Sequence, residues 1–338
     1  MQSSLLNRFP DKSDGRERIE TMFKIVTPFV LGLVFLFIFA RAYYPKQGEI
    51  ISPLSGSKSP TVLGSEAKPF FYSNNIWLPD DKEILPSRYQ KPEISAKAAL
   101  VVDLSTDKIL YAKNDHERLS VASTLKIMTA TVALERKNPN DIFTVSEKAA
   151  KTGEDFMGIS AGEKYTLEEL LYGLLLPSGN DAAVAIAENI AGTESEFVRL
   201  MNDKAKLLGA KDTNFVNATG LQGDSEHYST AYDMAIIARY AWVNFPLFRQ
   251  IVGTFSYEIP YSKDHKYLYF ENQTNLLRTY PGVKGIKPGF TPEAGLCLVT
   301  LAENGGHQIL GVILGSNDRR GEMQMLLDYS FSTLGVKI

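Results

Sequence analysis

Three short motifs in this chain bring together residue types that could perform nucleophilic chemistry. In chain order they are Ser123-Thr124-Leu125-Lys126, Ser178-Gly179-Asn180 and Lys287-Pro288-Gly289. The first offers a hydroxyl nucleophile with an amine three residues later, the second a polar relay, and the third a second cation. The order of the three motifs therefore predicts acyl transfer through a covalent intermediate on a serine.

The Ser-x-x-Lys spacing occurs four times, so context must identify the functional copy. The copies begin at Ser55, Ser65, Ser105 and Ser123. The first two fall in a segment rich in Pro and Ser, and the third falls in a predicted turn. Ser123 instead opens an apolar helical stretch, where a residue three positions later lies on the same face. A lysine acts as a base only when neutral, which requires burial or a nearby cation. Taken alone, this copy also fits a helix start with a solvated lysine.

Each of the other motifs also has a plain structural interpretation. Ser178-Gly179-Asn180 lies on a predicted loop between two helices, where Ser and Asn commonly cap helices. Lys287-Pro288-Gly289 lies on a predicted edge strand, where a proline is tolerated, and its lysine could be an ordinary surface residue. The segment Gly158 to Gly162 matches the G-x-S-x-G pattern of a nucleophile elbow. No buried strand precedes it, so we interpret it as a turn.

Strand patterns at both ends of the C-terminal part enclose a helix-rich middle. The sequence predicts a hairpin around residues 105–108, strands over 296–301 and 309–314, helices over 123–135, 230–243 and 321–334, and capping boxes at Thr166 and Thr193. We therefore expect an α+β fold. Its N-terminal and C-terminal strands would be adjacent in an antiparallel sheet of about five strands, with flanking helices and an inserted helical subdomain.

An uncharged apolar run from Ile25 to Ala40 predicts a transmembrane helix. Five Lys or Arg residues precede the run and two follow it closely, which predicts a cytoplasmic N-terminus and an extracytoplasmic remainder. Ala40-Arg41-Ala42 also has the form of a cleavage site, so a signal peptide cleaved after Ala42 is the alternative. The predicted organisation is a cytoplasmic segment over 1–22, a signal anchor over 23–44, a linker rich in Pro and Ser over 45–95 and a folded domain over 96–338.

Composition excludes several other classes of function. The chain has 338 residues and a net charge of −3, which gives no reason to expect a nucleic-acid partner. Its single cysteine, Cys297, cannot form an internal disulfide and is expected to be a small buried residue. The four histidines are far apart, so we predict neither a metal site nor a cofactor.

The segments around the motifs resemble the low-molecular-weight penicillin-binding proteins of the D-alanyl-D-alanine carboxypeptidase family. The resemblance rests on residues 122–130, 176–183, 227–235 and 280–287, and it covers about Lys97 to Ile338. It implies a fold like those of serine β-lactamases and DD-peptidases, without the family's second, all-β domain. It also implies removal of the terminal D-alanine from peptidoglycan stem peptides that end in D-Ala-D-Ala, and inhibition by β-lactams.

The resemblance assigns a role to each residue of the first two motifs. Ser123 would be the acylated nucleophile and Lys126 its general base. Ser178 would relay a proton to the leaving D-alanine, and Asn180 would hold the peptide carbonyl of the substrate.

In the third motif the resemblance is incomplete. Lys287 would keep Lys126 neutral and attract the terminal carboxylate, and beyond Gly289 the backbone N–H of Phe290 would join that of Ser123 in an oxyanion hole. Pro288 stands where the family usually has Thr or Ser, so a hydroxyl that would bind the substrate carboxylate is missing. Such a hydrogen bond contributes about 1.5–3 kcal/mol. Three residues are candidates to compensate for it: Thr291, Arg319 and Arg320.

Alternatives to the carboxypeptidase remain open at this point. An endopeptidase of the same fold would cut peptidoglycan cross-links. A non-catalytic cell-wall-binding protein would explain the altered third motif. A β-lactamase is disfavoured because no Glu-x-x-Leu-Asn segment follows the second motif to supply a deacylating base.

Overall fold

A six-stranded sheet organises the described part of the chain, which comprises residues 76–221 and 226–338 of a computed structural model. The strands of the whole described region are β1 (Asp80–Ile84), β2 (Ala98–Asp103), β3 (Lys108–Lys113), β4 (Ile142–Thr144), β5 (Lys164–Thr166), β6 (Ser256–Ile259), β7 (Leu268–Glu271), β8 (Val283–Thr291), β9 (Gly295–Asn304) and β10 (His307–Ser316). The large sheet has the order β1-β3-β2-β10-β9-β8. Strands β4 and β5 form one small hairpin sheet, and β6 and β7 form another.

The two ends of the folded region meet in the middle of this sheet. Strand β2 pairs antiparallel with β10, so that Leu100 lies opposite Val312. The predicted hairpin is present as β2 and β3, and the two predicted late strands lie within β9 and β10. The predicted closure of the sheet by N-terminal and C-terminal strands is confirmed.

The helical elements fall mainly between the early and late strands. A 3₁₀ turn (Ala122–Leu125) leads into α1 (Lys126–Arg136), and the others are α2 (Glu147–Ala150), α3 (Leu167–Leu175), α4 (Asn180–Ala191), α5 (Glu194–Leu208), α6 (Ala231–Asn244), α7 (Pro246–Val252), α8 (Leu276–Thr279) and α9 (Arg319–Thr333). The predicted capping box is complete at Thr166, where the side chains of Thr166 and Glu169 each accept a backbone N–H of the other. At Thr193 the side chain accepts the N–H of Glu196.

Helices cover both faces of the large sheet, and a helical layer surrounds α1. Residues of α9 share one apolar cluster with Val101 and Ile313, whereas α6 packs on β2 and β10. Successive strand residues point to opposite faces, so the full burial of β2 requires both layers. Helix α1 contacts α3, α4, α5 and α6, and its residues from Lys126 to Ala133 are all buried.

The folded region begins earlier than residue 96, which corrects the predicted linker and the predicted strand number. Strand β1 lies within the range assigned to the linker and adds a sixth, parallel strand beside β3. The preceding residues also contact the fold. Trp77 Nε1 donates to Asp107 Oδ1 over 2.7 Å, and Tyr232 Oη donates to the carbonyl of Pro79 over 2.9 Å. The described residues accordingly belong to one compact unit.

The predicted cytoplasmic segment, the predicted anchor and residues 45–75 of the predicted linker lie outside the described residues. Within the described ranges, no helix combines the length and the apolar character needed to cross a bilayer. The anchor therefore stays a prediction.

Candidate active site

The first motif lies where the 3₁₀ turn leads into buried α1. Ser123 and Lys126 stand about one turn apart, and Lys126 Nζ lies 2.9 Å from Ser123 Oγ. The Lys126 side chain is fully buried. Ala122, immediately before the serine, has φ +47°, a conformation that costs a non-glycine residue about 1–3 kcal/mol. Tertiary packing therefore holds the serine in a geometry that local backbone preferences disfavour.

Two glycines allow other backbone segments to approach this serine closely. A Cβ atom on Gly289 would lie 2.9 Å from the backbone nitrogen of Ser123 and 3.0 Å from that of Thr124. A Cβ atom on Gly220 would lie 2.3 Å from the carbonyl oxygen of Ala122. Neither position has room for a side chain without movement of backbone. Strand β8 therefore lies directly against the nucleophile, which explains why the third motif ends in glycine.

The second motif lies at the junction of the predicted loop and α4, with Ser178 and Gly179 in the loop and Asn180 as the first residue of the helix, and it completes the contacts of Lys126. The Nζ atom of Lys126 lies 3.3 Å from Ser178 Oγ and 2.7 Å from Asn180 Oδ1. Ser178 has φ +68°, and a Cβ atom on Gly179 would lie 2.8 Å from two neighbouring backbone atoms. One buried amine thus contacts both serine hydroxyls and the asparagine amide, so the first two motifs form a single hydrogen-bonded group.

The start of α4 also fixes the loop of residues 153–159. The backbone N–H of Asn180 donates to the carbonyl of Asp155 over 2.8 Å, and Asn180 Nδ2 donates to that of Gly153 over 3.1 Å. The Asp181 carboxylate accepts from three consecutive backbone N–H groups, those of Met157 (2.7 Å), Gly158 (2.8 Å) and Ile159 (3.2 Å). These hydrogen bonds give the loop one defined position beside the second motif.

The third motif supplies a second buried lysine. The pKa of Lys287 is lowered to about 7, mainly by burial; the charge of Asp155 opposes this change and the charge of Arg319 adds to it. Burial also lowers the pKa of Lys126 well below its usual range, and the charge of Lys287 lowers it further. Below about pH 7 Lys287 is therefore charged, and its charge disfavours a proton on Lys126. Lys126 is then a neutral amine whose lone pair can accept the proton of Ser123.

A cavity of about 360 Å³ opens beside the nucleophile. Its wall combines residues from the helical layer with residues of β8 and α9: Ser123, Glu154, Asp155, Ser178, Gln273, Pro288, Gly289, Phe290 and Arg319. Lys126 and Lys287 are buried and contact this wall through Ser123 and through the carbonyl of Pro288, the latter over 3.2 Å. All three motifs therefore meet at one cavity. Strand β8 is the last strand of the large sheet on that side, as the proline in it predicts.

Of the three residues proposed to replace the missing hydroxyl, the structure places one in the cavity. Arg319 lines it and donates from Nη1 to the carbonyl of Gly289 over 2.8 Å. Thr291 does not line it, because its hydroxyl accepts the backbone N–H of Ala294 in the turn between β8 and β9, over 3.0 Å. Arg320 is exposed and lies outside the cavity wall. Burial lowers the pKa of Arg319, as expected for a cation held partly away from water.

Three of the lining residues have no pattern in the sequence that relates them to the motifs. Glu154 and Asp155 are brought to the cavity by hydrogen bonds to α4, and nothing in their spacing relates them to Ser123. Gln273 follows β7, and its Nε2 donates to the carbonyl of Pro177 over 2.9 Å, next to the second motif. The adjacent pair of acids is visible in the sequence, but only the fold assigns it to the site.

The serine of the G-x-S-x-G pattern is not part of this site. Ser160 is exposed, accepts a hydrogen bond from Lys266 Nζ over 2.7 Å and follows irregular chain rather than a strand, so the interpretation as a turn is confirmed. Cys297 is buried as predicted. Within the described ranges, no cluster of His, Cys, Asp or Glu could hold a metal ion.

Comparison with known proteins supports a family assignment. Residues 86–318 match the family described as D-alanyl-D-alanine carboxypeptidase. The chain is 40% identical to D-alanyl-D-alanine carboxypeptidase DacF of Bacillus subtilis (strain 168), over 70% of this chain and 62% of that protein. It is 33% identical to DacD of Escherichia coli (strain K12), over 71% of this chain and 63% of that protein. The chain thus spans less than two thirds of the length of these relatives.

A solved structure shares the fold. The crystal structure of the Streptomyces K15 DD-transpeptidase has a TM-score of 0.68 and 32% sequence identity, covering 72% of this chain and 100% of that chain. Its antiparallel sheet with flanking helices agrees with the α+β fold expected from the sequence. The match to the family, over more than half of the chain, and the meeting of all three motifs at one cavity lead to the same conclusion: the chain belongs to the D-alanyl-D-alanine carboxypeptidase family.

Proposed function

We propose that this protein is a serine-type D-Ala-D-Ala carboxypeptidase that removes the terminal D-alanine from peptidoglycan stem peptides. One observation carries the proposal: the buried amine of Lys126 lies 2.9 Å from a serine hydroxyl that lines an open cavity. A solvated lysine would be protonated and could not act as a base. Burial and the neighbouring Lys287 make this one neutral.

Acylation begins with transfer of the Ser123 proton to Lys126. The Oγ atom attacks the carbonyl carbon of the penultimate D-alanine, and an oxyanion forms on the carbonyl oxygen. The backbone N–H of Ser123 is in the first turn of a helical segment and has no acceptor within it. Phe290 lies on an edge strand that lines the cavity. These two N–H groups are the donors we assign to the oxyanion.

Departure of D-alanine requires a proton on its nitrogen. Lys126 holds the proton taken from Ser123 and contacts Ser178 Oγ at 3.3 Å, so Ser178 can pass the proton to the leaving amine. Asn180 uses one Nδ2 hydrogen on Gly153, which leaves the second hydrogen for a carbonyl of the substrate. Water then attacks the ester carbonyl and releases the shortened peptide, with Lys126 again as the base.

Two cations act on the terminal carboxylate of the substrate in different ways. Arg319 lines the cavity and has further N–H donors beyond the one used on Gly289, whereas Lys287 is buried behind the wall and contributes its positive charge at a distance. The residue between Lys287 and Gly289 is Pro288, which offers no hydroxyl. Recognition of the carboxylate therefore rests on charge more than in relatives with Thr or Ser in the third motif.

We also propose that residues 23–44 anchor the protein in the cell membrane with the folded unit outside the cytoplasm. The apolar run and the excess of Lys and Arg before it support this orientation. A full-length protein that sediments with membranes only when residues 1–44 are present agrees with the anchor. A mature N-terminus after Ala42 would instead indicate a cleaved signal peptide.

The test of the enzymatic proposal is release of free D-alanine from a pentapeptide ending in D-Ala-D-Ala. We expect release by the wild type and none by Ser123→Ala. Cleavage of cross-linked dimers instead of the pentapeptide would assign the endopeptidase alternative. The K15 relative is named both a carboxypeptidase and a DD-transpeptidase, so an added amine acceptor tests whether water or an amine resolves the acyl-enzyme. Absence of both products would leave the non-catalytic binding protein.

A further inference from the structure

The cavity carries charges of opposite sign on two different walls. Arg319 is on the wall formed by β8 and α9, with Lys287 buried next to it. Glu154 and Asp155 belong to the loop held by Asn180, on the wall that carries the second motif. A ligand that matches this arrangement bears an anionic group at one end and a cationic group at the other.

The two carboxylates are available to a ligand. Both residues are exposed, and within the described ranges neither side chain has a hydrogen-bond or ion-pair partner. Their backbone is nevertheless fixed, because the Asp155 carbonyl accepts the N–H of Asn180 and the Asp181 carboxylate holds the residues that follow. Because the backbone is already held, a cation that binds these carboxylates orders only their side chains. Asp155 also interacts electrostatically with the buried Lys126 and Lys287.

Two exposed phenyl rings belong to residues that line the cavity or adjoin its lining. Phe290 lines it with 59% of its surface exposed, and Phe156, next to Asp155, is 65% exposed. Exposed phenyl rings beside carboxylates suit a side chain that has methylene groups and ends in an ammonium, because the methylenes and the charge are each accommodated.

We propose that Glu154 and Asp155 select stem peptides in which the residue preceding D-Ala-D-Ala keeps a free side-chain amine. This inference rests on the proposed function, because it places the scissile carbonyl at Ser123 and the terminal carboxylate towards Arg319. The preceding residue then lies one residue, about 3.6 Å, to the other side of the nucleophile. A diamino acid at that position directs its ammonium to the acidic wall.

This selectivity would distinguish free stem peptides from cross-linked ones. A cross-link converts this amine into a neutral amide, so the charge that the acidic wall recognises is lost. The protein would therefore act before cross-linking in preference to after it.

The experiment compares two peptides that differ in one acetyl group. Nα-acetyl-L-Lys-D-Ala-D-Ala keeps the side-chain ammonium, and Nα,Nε-diacetyl-L-Lys-D-Ala-D-Ala does not; the α-amine is blocked in both. The readout is the ratio of kcat/KM for the two peptides in the wild type, in the double variant Glu154→Gln with Asp155→Asn, and in the control Glu258→Gln. Glu258 is an exposed acid on β6 that does not line the cavity. A ratio is used because Asp155 also influences Lys126 and Lys287, and such an effect on both peptides cancels.

We expect the wild type and the control to prefer the cationic peptide about two- to fivefold, as for exposed ion pairs. The double variant should lose this preference, and about 1 M NaCl should weaken it in the wild type. A wild-type ratio near one, or a ratio unchanged in the double variant, would overturn the proposal. Failure of the proposed function looks different, because neither peptide would then be cleaved and Ser123 would not be acylated by a β-lactam.

Discussion

We predict that the charge of the buried Lys287 lowers the free energy of unfolding of the protein. Folding lowers its pKa from 10.5 to about 7, which corresponds to about 5 kcal/mol of unfavourable free energy for the charged lysine in the folded state. The variant Lys287→Met removes the charge and keeps a long side chain. We expect its free energy of unfolding at pH 6 to exceed that of the wild type by about 2–5 kcal/mol, the upper figure being reduced by the lost hydrogen bond to the Pro288 carbonyl.

The extra stability of Lys287→Met over the wild type should decrease as the pH rises, because the pKa of Lys287 is lower in the folded chain than in the unfolded chain. Below pH 7, Lys287 is protonated in both the folded and the unfolded chain, so the full penalty applies. Between pH 7 and about 10.5, only the unfolded chain binds the proton, so the wild-type fold gains stability as the pH rises. The advantage of Lys287→Met should therefore be largest at pH 6 and shrink towards pH 10.

Thermal unfolding monitored by circular dichroism at about pH 6 and about pH 10 measures this difference. Each kcal/mol raises Tm by about 2–4 °C in a domain of this size. Lys284→Met is the matched control, because Lys284 is on the same strand but its side chain is 47% exposed. Only Lys287→Met should show a gain at pH 6 together with loss of D-alanine release. A variant less stable than the wild type at pH 6, or a gain that does not change with pH, would refute the argument.

Three further predictions concern the third motif. Pro288→Thr restores the missing hydroxyl and should raise kcat/KM for a D-Ala-D-Ala peptide about ten- to a hundredfold. The control Pro288→Val should not raise it. Equal effects of the two variants would show that the hydroxyl is irrelevant. Gly289→Ala places a Cβ atom 2.9 Å from the backbone nitrogen of Ser123. This variant should be acylated by a β-lactam about 10²- to 10³-fold more slowly than the wild type. A folded variant that is acylated at the wild-type rate would contradict the described packing. The value of kcat/KM should decline above about pH 7 as Lys287 loses its proton, and a profile that is flat from about pH 6 to pH 9 would exclude a role for its charge.

Local sequence patterns were sufficient where the structure depends on neighbours along the chain. The capping box at Thr166 and the hairpin of β2 and β3 are each determined by a few adjacent residues. Of the four Ser-x-x-Lys copies, only the one at Ser123 precedes an apolar helical pattern, which distinguishes it from the other three. The apolar pattern indicates that the helix carrying Lys126 is buried. Burial lowers the pKa of Lys126, which allows this lysine to act as a base.

Features that depend on distant contacts were not predictable. Strand β1 has the charged sequence Asp80-Asp81-Lys82-Glu83-Ile84, without the alternation of apolar and polar residues that indicates a strand. Its sequence is therefore typical of a linker, and its pairing with β3 is made by the backbone. Glu154 and Asp155 reach the cavity because α4 binds the backbone of their loop. The choice between Arg319 and Arg320 depends on where α9 begins relative to β8, which spacing along the chain does not determine.

Ser123, made reactive by neutral Lys126, is the residue expected to form the acyl-enzyme. Incubation of the protein with a β-lactam, followed by mass spectrometry of the intact chain and of its peptides, tests this assignment. We expect one covalent adduct per chain, located on Ser123 and absent from Ser123→Ala and from Lys126→Met. An adduct on Ser160 or Ser178, or a Ser123 adduct that forms as fast in Lys126→Met as in the wild type, would contradict it.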